Sequence, residues 1–104
     1  MELVMIRLCS GSNIVDNSVR RFVVEGKEIL VGKTAGKYYA LDERCTHRGG
    51  PLSEGSLESG IITCPWHYGQ FDLATGEVRS PPPAEPLKSY ELRVEGTDIF
   101  ISIV

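Results

Sequence analysis

The feature that most restricts the fold of this chain is a pair of Cys/His motifs in its middle. The two histidines, His47 and His67, each follow a cysteine within three residues, Cys45 and Cys64 respectively. With Cys9 the cysteine count is odd and the spacing is wide, in a chain with no recognisable export signal, which favours metal binding over a disulfide framework. Each motif offers one thiolate and one imidazole, so two loops can clamp a single centre.

The segment 44–86 holds both motifs and all six prolines of the chain. Its apolar residues occur only in brief patches, at 61–62 and 71–73. We expect that such a segment cannot pack a large core of its own, and that a bound metal centre orders it.

Outside this segment the sequence predicts an all-β fold. Apolar and polar residues alternate with a period of two, and no helical apolar stripe is sustained. Short strands separated by glycine turns favour a sandwich or small barrel. Residues 10–18 are predicted to form a loop with room for one helical turn. The predicted strands are 5–8, 20–24, 28–34, 37–42, 90–94 and 99–104.

Length and charge exclude several classes of protein. At 104 residues the chain is predicted to be a single domain, 1–104, and is too short for a two-domain enzyme. The net charge of −3, with no cluster of Lys and Arg, argues against nucleic acid and anionic membrane as partners. No apolar run is long enough to cross a bilayer, and the start of the chain does not resemble a signal peptide, so a cytoplasmic location is expected.

Two interpretations of the motifs stay open on residue chemistry alone. Two Cys and two His suffice for a structural zinc site, and cysteines also pack as small apolar residues. However, the order Cys-x-His followed by Cys-x-x-His resembles the Rieske iron–sulfur proteins. Segments 45–52 and 64–72 look like the two cluster-binding boxes of that family, and Pro81–Pro83 lies where the family has a third loop. The resemblance implies a Rieske-like fold of small antiparallel sheets, with a cluster-binding subdomain of two loops inside 44–86.

The resemblance also implies the ligands of one [2Fe–2S] cluster. Cys45 and Cys64 would bind the inner iron, and His47 and His67 the outer, more exposed iron. A cluster with two neutral imidazoles is uncharged when oxidised, whereas an all-cysteine cluster is doubly negative. Reduction is therefore easier, and Rieske potentials run from about −150 to +300 mV against about −400 mV for plant-type ferredoxins.

Departures from the high-potential members of the family predict a potential near the bottom of that range. Gly50 and Trp66 stand where those members have two further cysteines joined by a disulfide. Gly69 and Phe71 replace a serine and a tyrosine whose hydroxyls donate to the cluster. We therefore expect backbone N–H groups to supply most of the hydrogen bonds to sulfur.

The function implied by the resemblance is that of an electron carrier rather than an enzyme. The chain is similar to the Rieske-type ferredoxins of aromatic-ring-hydroxylating dioxygenase systems, which pass electrons from a flavin-dependent reductase to a terminal oxygenase through transient contacts. The alternatives are a small Rieske-like subunit of an assimilatory nitrite reductase and a structural zinc domain. Two nearby arginines, Arg44 and Arg48, are open to two interpretations, docking of an acidic partner or simple solvation. Trp66 is expected to be a packing lid over the second loop, and Cys9 a small buried residue.

Overall fold

The structure is a computed structural model that describes residues 4–66 and 68–103, and all strand pairings within them are antiparallel. The strands, in chain order, are β1 (Ile6–Ser10), β2 (Ser18–Val24), β3 (Lys27–Thr34), β4 (Lys37–Asp42), β5 (Ser56–Glu58), β6 (Ile61–Thr63), β7 (Gln70–Asp72), β8 (Val78–Ser80), β9 (Ser89–Tyr90), β10 (Leu92–Glu95) and β11 (Asp98–Ile101). They form three sheets, ordered β1-β11-β10, β2-β3-β4-β9 and β5-β6-β7-β8. The predicted all-β fold of small antiparallel sheets is confirmed.

Helical structure in the described ranges is limited to two short 3-10 helices, Gly11–Asn13 and Leu52–Glu54. The first is the single helical turn expected in the loop at 10–18. Neither helix is long and apolar enough to span a membrane.

Two-residue turns with a left-handed backbone join β2 to β3 and β3 to β4. Glu25 and Gly26 have φ angles of 49° and 82°, and Ala35 and Gly36 have φ angles of 51° and 77°. Turns of this kind match the right-handed twist of a hairpin. The predicted strands beside them are confirmed, each to within two residues at its ends.

The predicted strand 90–94 is interrupted at Glu91 and serves two sheets. Tyr90 pairs with Ala40 of β4, whereas Leu92 pairs with Ile101 of β11. The chain therefore crosses from one sheet to the next at this point, which the continuous alternation in the sequence does not reveal.

The central sheet β2-β3-β4-β9 has a buried face on each side. On β3, Ile29 and Val31 face a core shared with β11, while Leu30 faces a second core shared with the strands β5 to β8. All three side chains are fully buried. A continuous apolar run, rather than strict alternation, is typical of a strand that is covered on both faces.

In keeping with the expectation that segment 44–86 cannot pack a large core of its own, the core that it buries is shared with the central sheet. Its strands β5 to β8 bury Leu57, Ile62 and Phe71, together with Leu52 and Leu73 beside them. These strands have only three residues each, too few for a period of two to be visible in the sequence. The segment gains its core by packing on the central sheet, because its apolar residues join the same cluster as those of β3 and β4.

We expect Gly55→Ala to destabilise this packing strongly. A Cβ at Gly55 would overlap the backbone carbonyl of Thr63, at the end of β6. Backbone cannot rotate away as a side chain can, so we expect a loss of about 3 kcal/mol in the free energy of unfolding, measured by anaerobic urea denaturation. Gly26→Ala is the control, since its turn is open to solvent and only its left-handed φ opposes alanine, at about 1 kcal/mol. Equal losses of unfolding free energy in the two variants would contradict the predicted overlap between a Cβ at position 55 and the carbonyl of Thr63.

Candidate metal centre

The first Cys/His motif lies in a loop, residues 45–50, that is closed by two backbone hydrogen bonds. The N–H of Cys45 donates to the carbonyl of Gly50 at 2.9 Å, and the N–H of Gly49 donates to the carbonyl of Cys45 at 2.8 Å. Gly49 has a φ of 74°, a conformation that glycine adopts without steric cost. We call these residues the first loop.

The second motif lies in residues 64–69, the second loop, which is closed in the same way. The N–H of Cys64 donates to the carbonyl of Gly69 at 2.8 Å, and the N–H of Tyr68 donates to the carbonyl of Cys64 at 3.2 Å. Tyr68 has the position that glycine has in the first loop, and its φ of 62° is uncommon for a residue with a side chain. Two matching loops therefore present the two cysteines.

The two loops are attached to the sheets differently. The second loop is the tip of the β6–β7 hairpin, where Thr63 pairs with Gln70 as part of a continuous ladder. The first loop is flanked by an isolated bridge between Arg44 and Pro51. Backbone pairing thus supports the second loop more extensively than the first.

The two thiols lie together at the end of a hydrophobic core. Cys45 and Cys64 are 5% and 3% exposed, and they lie close enough for their thiols to interact. Burial raises the pKa of the Cys64 thiol, and the proximity of Cys45 adds to this rise, while the N–H of Trp66, which donates to the Cys64 sulfur at 3.4 Å, opposes it. Two adjacent buried thiolates need a cation between them, so this donor set fits a metal centre that binds both sulfurs.

The side of the site that carries His47 is open to solvent. His47 is exposed and lines the same depression as the two thiols, whereas His67 lies outside the described residues. Within 4–66 and 68–103, no three Cys, His, Asp or Glu side chains are grouped around one metal position. The depression is lined by Cys45, His47, Arg48, Gly50, Cys64, Trp66, Gly69, Pro82 and Pro83.

A third loop, residues 81–86, contacts both of the others. Thr46 donates its hydroxyl to the carbonyl of Glu85 at 2.7 Å, which ties the third loop to the first. Pro83 is buried so closely against Gly69 that a Cβ at position 69 would overlap its ring. Of the three prolines expected beside the site, Pro82 and Pro83 line the depression. The Thr46 contact has no sequence signal, because its partner is 39 residues away.

Trp66, in the second loop, packs close to Gly50 of the first loop. A Cβ placed on Gly50 would lie 3.1 Å from the Trp66 ring and 2.7 Å from the Cys64 sulfur. Glycine fits at this position because it has no Cβ to meet these atoms. The indole is still 47% exposed, which makes it part of the surface around the site. Phe71, by contrast, is fully buried in the core. The 3.4 Å contact from Trp66 is a backbone donor to sulfur of the expected kind.

The two arginines beside the first loop have different surroundings. Arg44 is engaged by Glu28 and by the carbonyl of Gly49, whereas Arg48 is exposed at the rim of the depression. Sequence reasoning did not find Glu28 as a partner, since it lies on a neighbouring strand. Cys9 is 6% exposed, as expected for a small buried residue, and burial raises the pKa of its thiol.

Residues 4–91 match the family profile described as the Rieske [2Fe-2S] domain. The chain is 34% identical over 103 residues to the ferredoxin component of the naphthalene 1,2-dioxygenase system of Pseudomonas putida, an alignment that covers 99% of each chain. It is 33% identical to the biphenyl dioxygenase ferredoxin subunit of Pseudomonas sp. (strain KKS102), over 91% of this chain and 88% of the relative. These relatives are electron-carrier components rather than catalytic subunits.

Solved structures share the fold over nearly the whole chain. The ferredoxin of carbazole 1,9a-dioxygenase from Nocardioides aromaticivorans IC177 has a TM-score of 0.90 at 29% identity, covering 94% of this chain and 96% of that one. A chain of the complex of reduced oxygenase and oxidized ferredoxin in carbazole 1,9a-dioxygenase has a TM-score of 0.91 at 29% identity, covering 97% and 94%. The fold of the chain is thus similar to that of proteins named as ferredoxins.

Proposed function

The chain belongs to the Rieske [2Fe-2S] domain family, and on this premise we propose that it is a ferredoxin that carries single electrons from a reductase to a terminal oxygenase. It carries one Rieske-type [2Fe–2S] cluster, which supplies the uptake and release of one electron at a time. The observation that supports this role most strongly is the 99% coverage in both directions with a dioxygenase ferredoxin component.

We assign Cys45 and Cys64 to the inner iron and His47 and His67 to the outer iron. The buried, adjacent thiols support the first assignment, and the exposed position of His47 supports the second. His67 is assigned from the Cys-x-x-His motif alone. In this arrangement the protein excludes water from the thiolate side and keeps one imidazole at the surface, where a partner can approach it.

The surface around His47 is suited to brief contacts with partner proteins. Trp66 is 47% exposed beside it, and Arg48 and Pro82 are also exposed there. Tyr68 of the second loop is 75% exposed. Aromatic residues and arginine are enriched in protein interfaces, and small interfaces are typical of electron-transfer encounters. We propose that a flavin-dependent reductase and a terminal oxygenase both bind here, since one exposed imidazole edge serves uptake and release alike.

The alternative functions are not favoured. The relatives reported above are named as ferredoxin subunits or components of dioxygenase systems, which supports neither a nitrite reductase subunit nor a structural zinc domain.

We place the protein in the cytoplasm, because its three cysteines are buried without forming disulfides, as a reducing compartment allows.

A redox titration tests the ferredoxin assignment. We expect a midpoint near the bottom of the Rieske range, about −150 mV, because Gly69 and Phe71 contribute no side-chain donor. The titration should follow the electron paramagnetic resonance (EPR) signal of the reduced protein. A midpoint well above zero, or a colourless protein that contains zinc, would overturn the assignment.

We expect Trp66→Ala to slow electron transfer to partners about tenfold, because an exposed aromatic of the proposed contact surface is removed. The measurement is the second-order rate of cluster reduction by a flavin-dependent reductase in anaerobic stopped flow. The midpoint should stay in place, since the donor to Cys64 is the backbone N–H of residue 66. Val94→Ala is the control, being 50% exposed on β10 and absent from the lining of the depression. Equal rates in both variants would show that the Trp66 side chain does not contribute to the contact with the partner.

A further inference from the structure

Arg44 connects the central sheet to the first loop through three hydrogen bonds. Its Nη2 and Nε donate to the two carboxylate oxygens of Glu28 at 2.9 and 3.2 Å. Its Nη1 donates to the carbonyl of Gly49 at 3.3 Å, inside the loop. One planar guanidinium thus holds a strand residue on one side and loop backbone on the other, a geometry that lysine cannot reproduce.

The strand side of this connection is itself fixed. Glu28 lies on β3 and also accepts from Arg21 of β2, at 2.9 Å from Nη2 and 3.1 Å from Nε. Hydrogen bonds from Arg44 and then from Arg21 lower the pKa of Glu28, so its carboxylate stays ionised in neutral solution. Arg44 is therefore attached to two strands of a rigid sheet rather than to a mobile side chain.

The opposite flank of the first loop is secured from the same region. Glu43 is fully buried and accepts from the N–H and the hydroxyl of Ser53, at 3.0 and 2.6 Å. Its backbone carbonyl also accepts from the N–H of Leu52 at 3.0 Å. Side chains, together with this backbone bond, therefore supply the support that the second loop obtains from the β6–β7 ladder.

From these contacts we infer that Arg44 is a positioning residue for the cluster, holding the first loop in the conformation in which Cys45 and His47 are presented together. This inference rests on the ferredoxin function proposed above. The role of Arg44 is mechanical. It depends on one guanidinium group reaching both the carboxylate of Glu28 and the carbonyl of Gly49, and not on a positive charge near the cluster.

Three variants separate the mechanical role from a charge effect. Arg44→Gln and Glu28→Ala change the local charge in opposite directions but break the same connection. Arg44→Lys keeps the positive charge but loses the planar guanidinium group that bonds to both partners. We expect all three to release iron to a chelator about tenfold faster than wild type, since removing a partner that orients a metal ligand typically weakens binding by that factor or more. All three should also broaden the EPR signal of the reduced protein.

Arg79→Gln is the matched control. The Arg79 side chain, on β8, is exposed to a degree similar to that of Arg44. It pairs with Asp72, on β7, at 2.7 Å. Neither partner lines the depression that holds the two thiols. The control should release iron at the wild-type rate and keep the wild-type EPR line shape.

Each outcome decides the inference. It is overturned if Arg44→Lys behaves as wild type, if Arg44→Gln and Glu28→Ala shift the midpoint in opposite directions with unchanged iron release, or if Arg79→Gln matches the other variants. Far-UV circular dichroism on every sample detects a variant that fails to fold, and Arg44→Lys, the least disruptive change, then carries the test. The wild-type EPR signal is measured first, so its absence would overturn the ferredoxin function rather than the role of Arg44.

Discussion

Replacing Cys45 by serine is expected to abolish the [2Fe–2S] cluster completely while leaving most of the strands in place. The hydroxyl is a poor substitute for a thiolate that shares a buried site with Cys64. Visible absorption and the EPR signal of the reduced protein measure the loss, and far-UV circular dichroism measures the strands. Cys9→Ser is the control, because Cys9 is buried in the other core and should leave the cluster intact.

This expectation differs from what the sequence predicts for the same change. A segment that depends on metal for its order would lose much of the fold of 44–86 together with the cluster. From the structure we expect the loss to be confined to the first and second loops, since Leu57, Ile62 and Phe71 bury apolar surface in a core shared with the central sheet. If the far-UV signal collapses in Cys45→Ser, the interpretation from the sequence is the better one.

Replacing His47 by cysteine is expected to lower the midpoint potential by on the order of 100 mV in the protein that retains a cluster. A thiolate adds one negative charge to the ligand set, and the reduced cluster then becomes harder to form in a site of low dielectric. Arg48→Gln is the control, because it makes the same unit change in charge on an exposed side chain one residue away. Solvent and salt screen that charge, so its midpoint should move much less.

The two midpoints are compared by potentiometric titration at one ionic strength. A rise in the midpoint of His47→Cys would contradict the assignment of His47 as a neutral ligand. A shift equal to that of Arg48→Gln would show that position 47 acts only as a surface charge.

Prediction from the sequence was most successful where a property depends on neighbouring residues. The hairpins around Gly26 and Gly36 were found because left-handed turns need particular residues at particular positions. Prediction failed for β5 to β8, whose three-residue strands are too short to show a period. It also missed the break at Glu91, since alternation continues across a residue where the chain changes sheets.

The sequence by itself indicated a metal centre, because Cys45, His47, Cys64 and His67 offer two thiolates and two imidazoles, and its resemblance to the Rieske proteins predicted the cluster type. The tertiary structure alone decided how the loops are supported. Arg44 takes Glu28 as its partner 16 residues away, and Thr46 takes the carbonyl of Glu85 39 residues away. Such contacts arise only once the sheets have brought distant strands together, so no local pattern of residues encodes them.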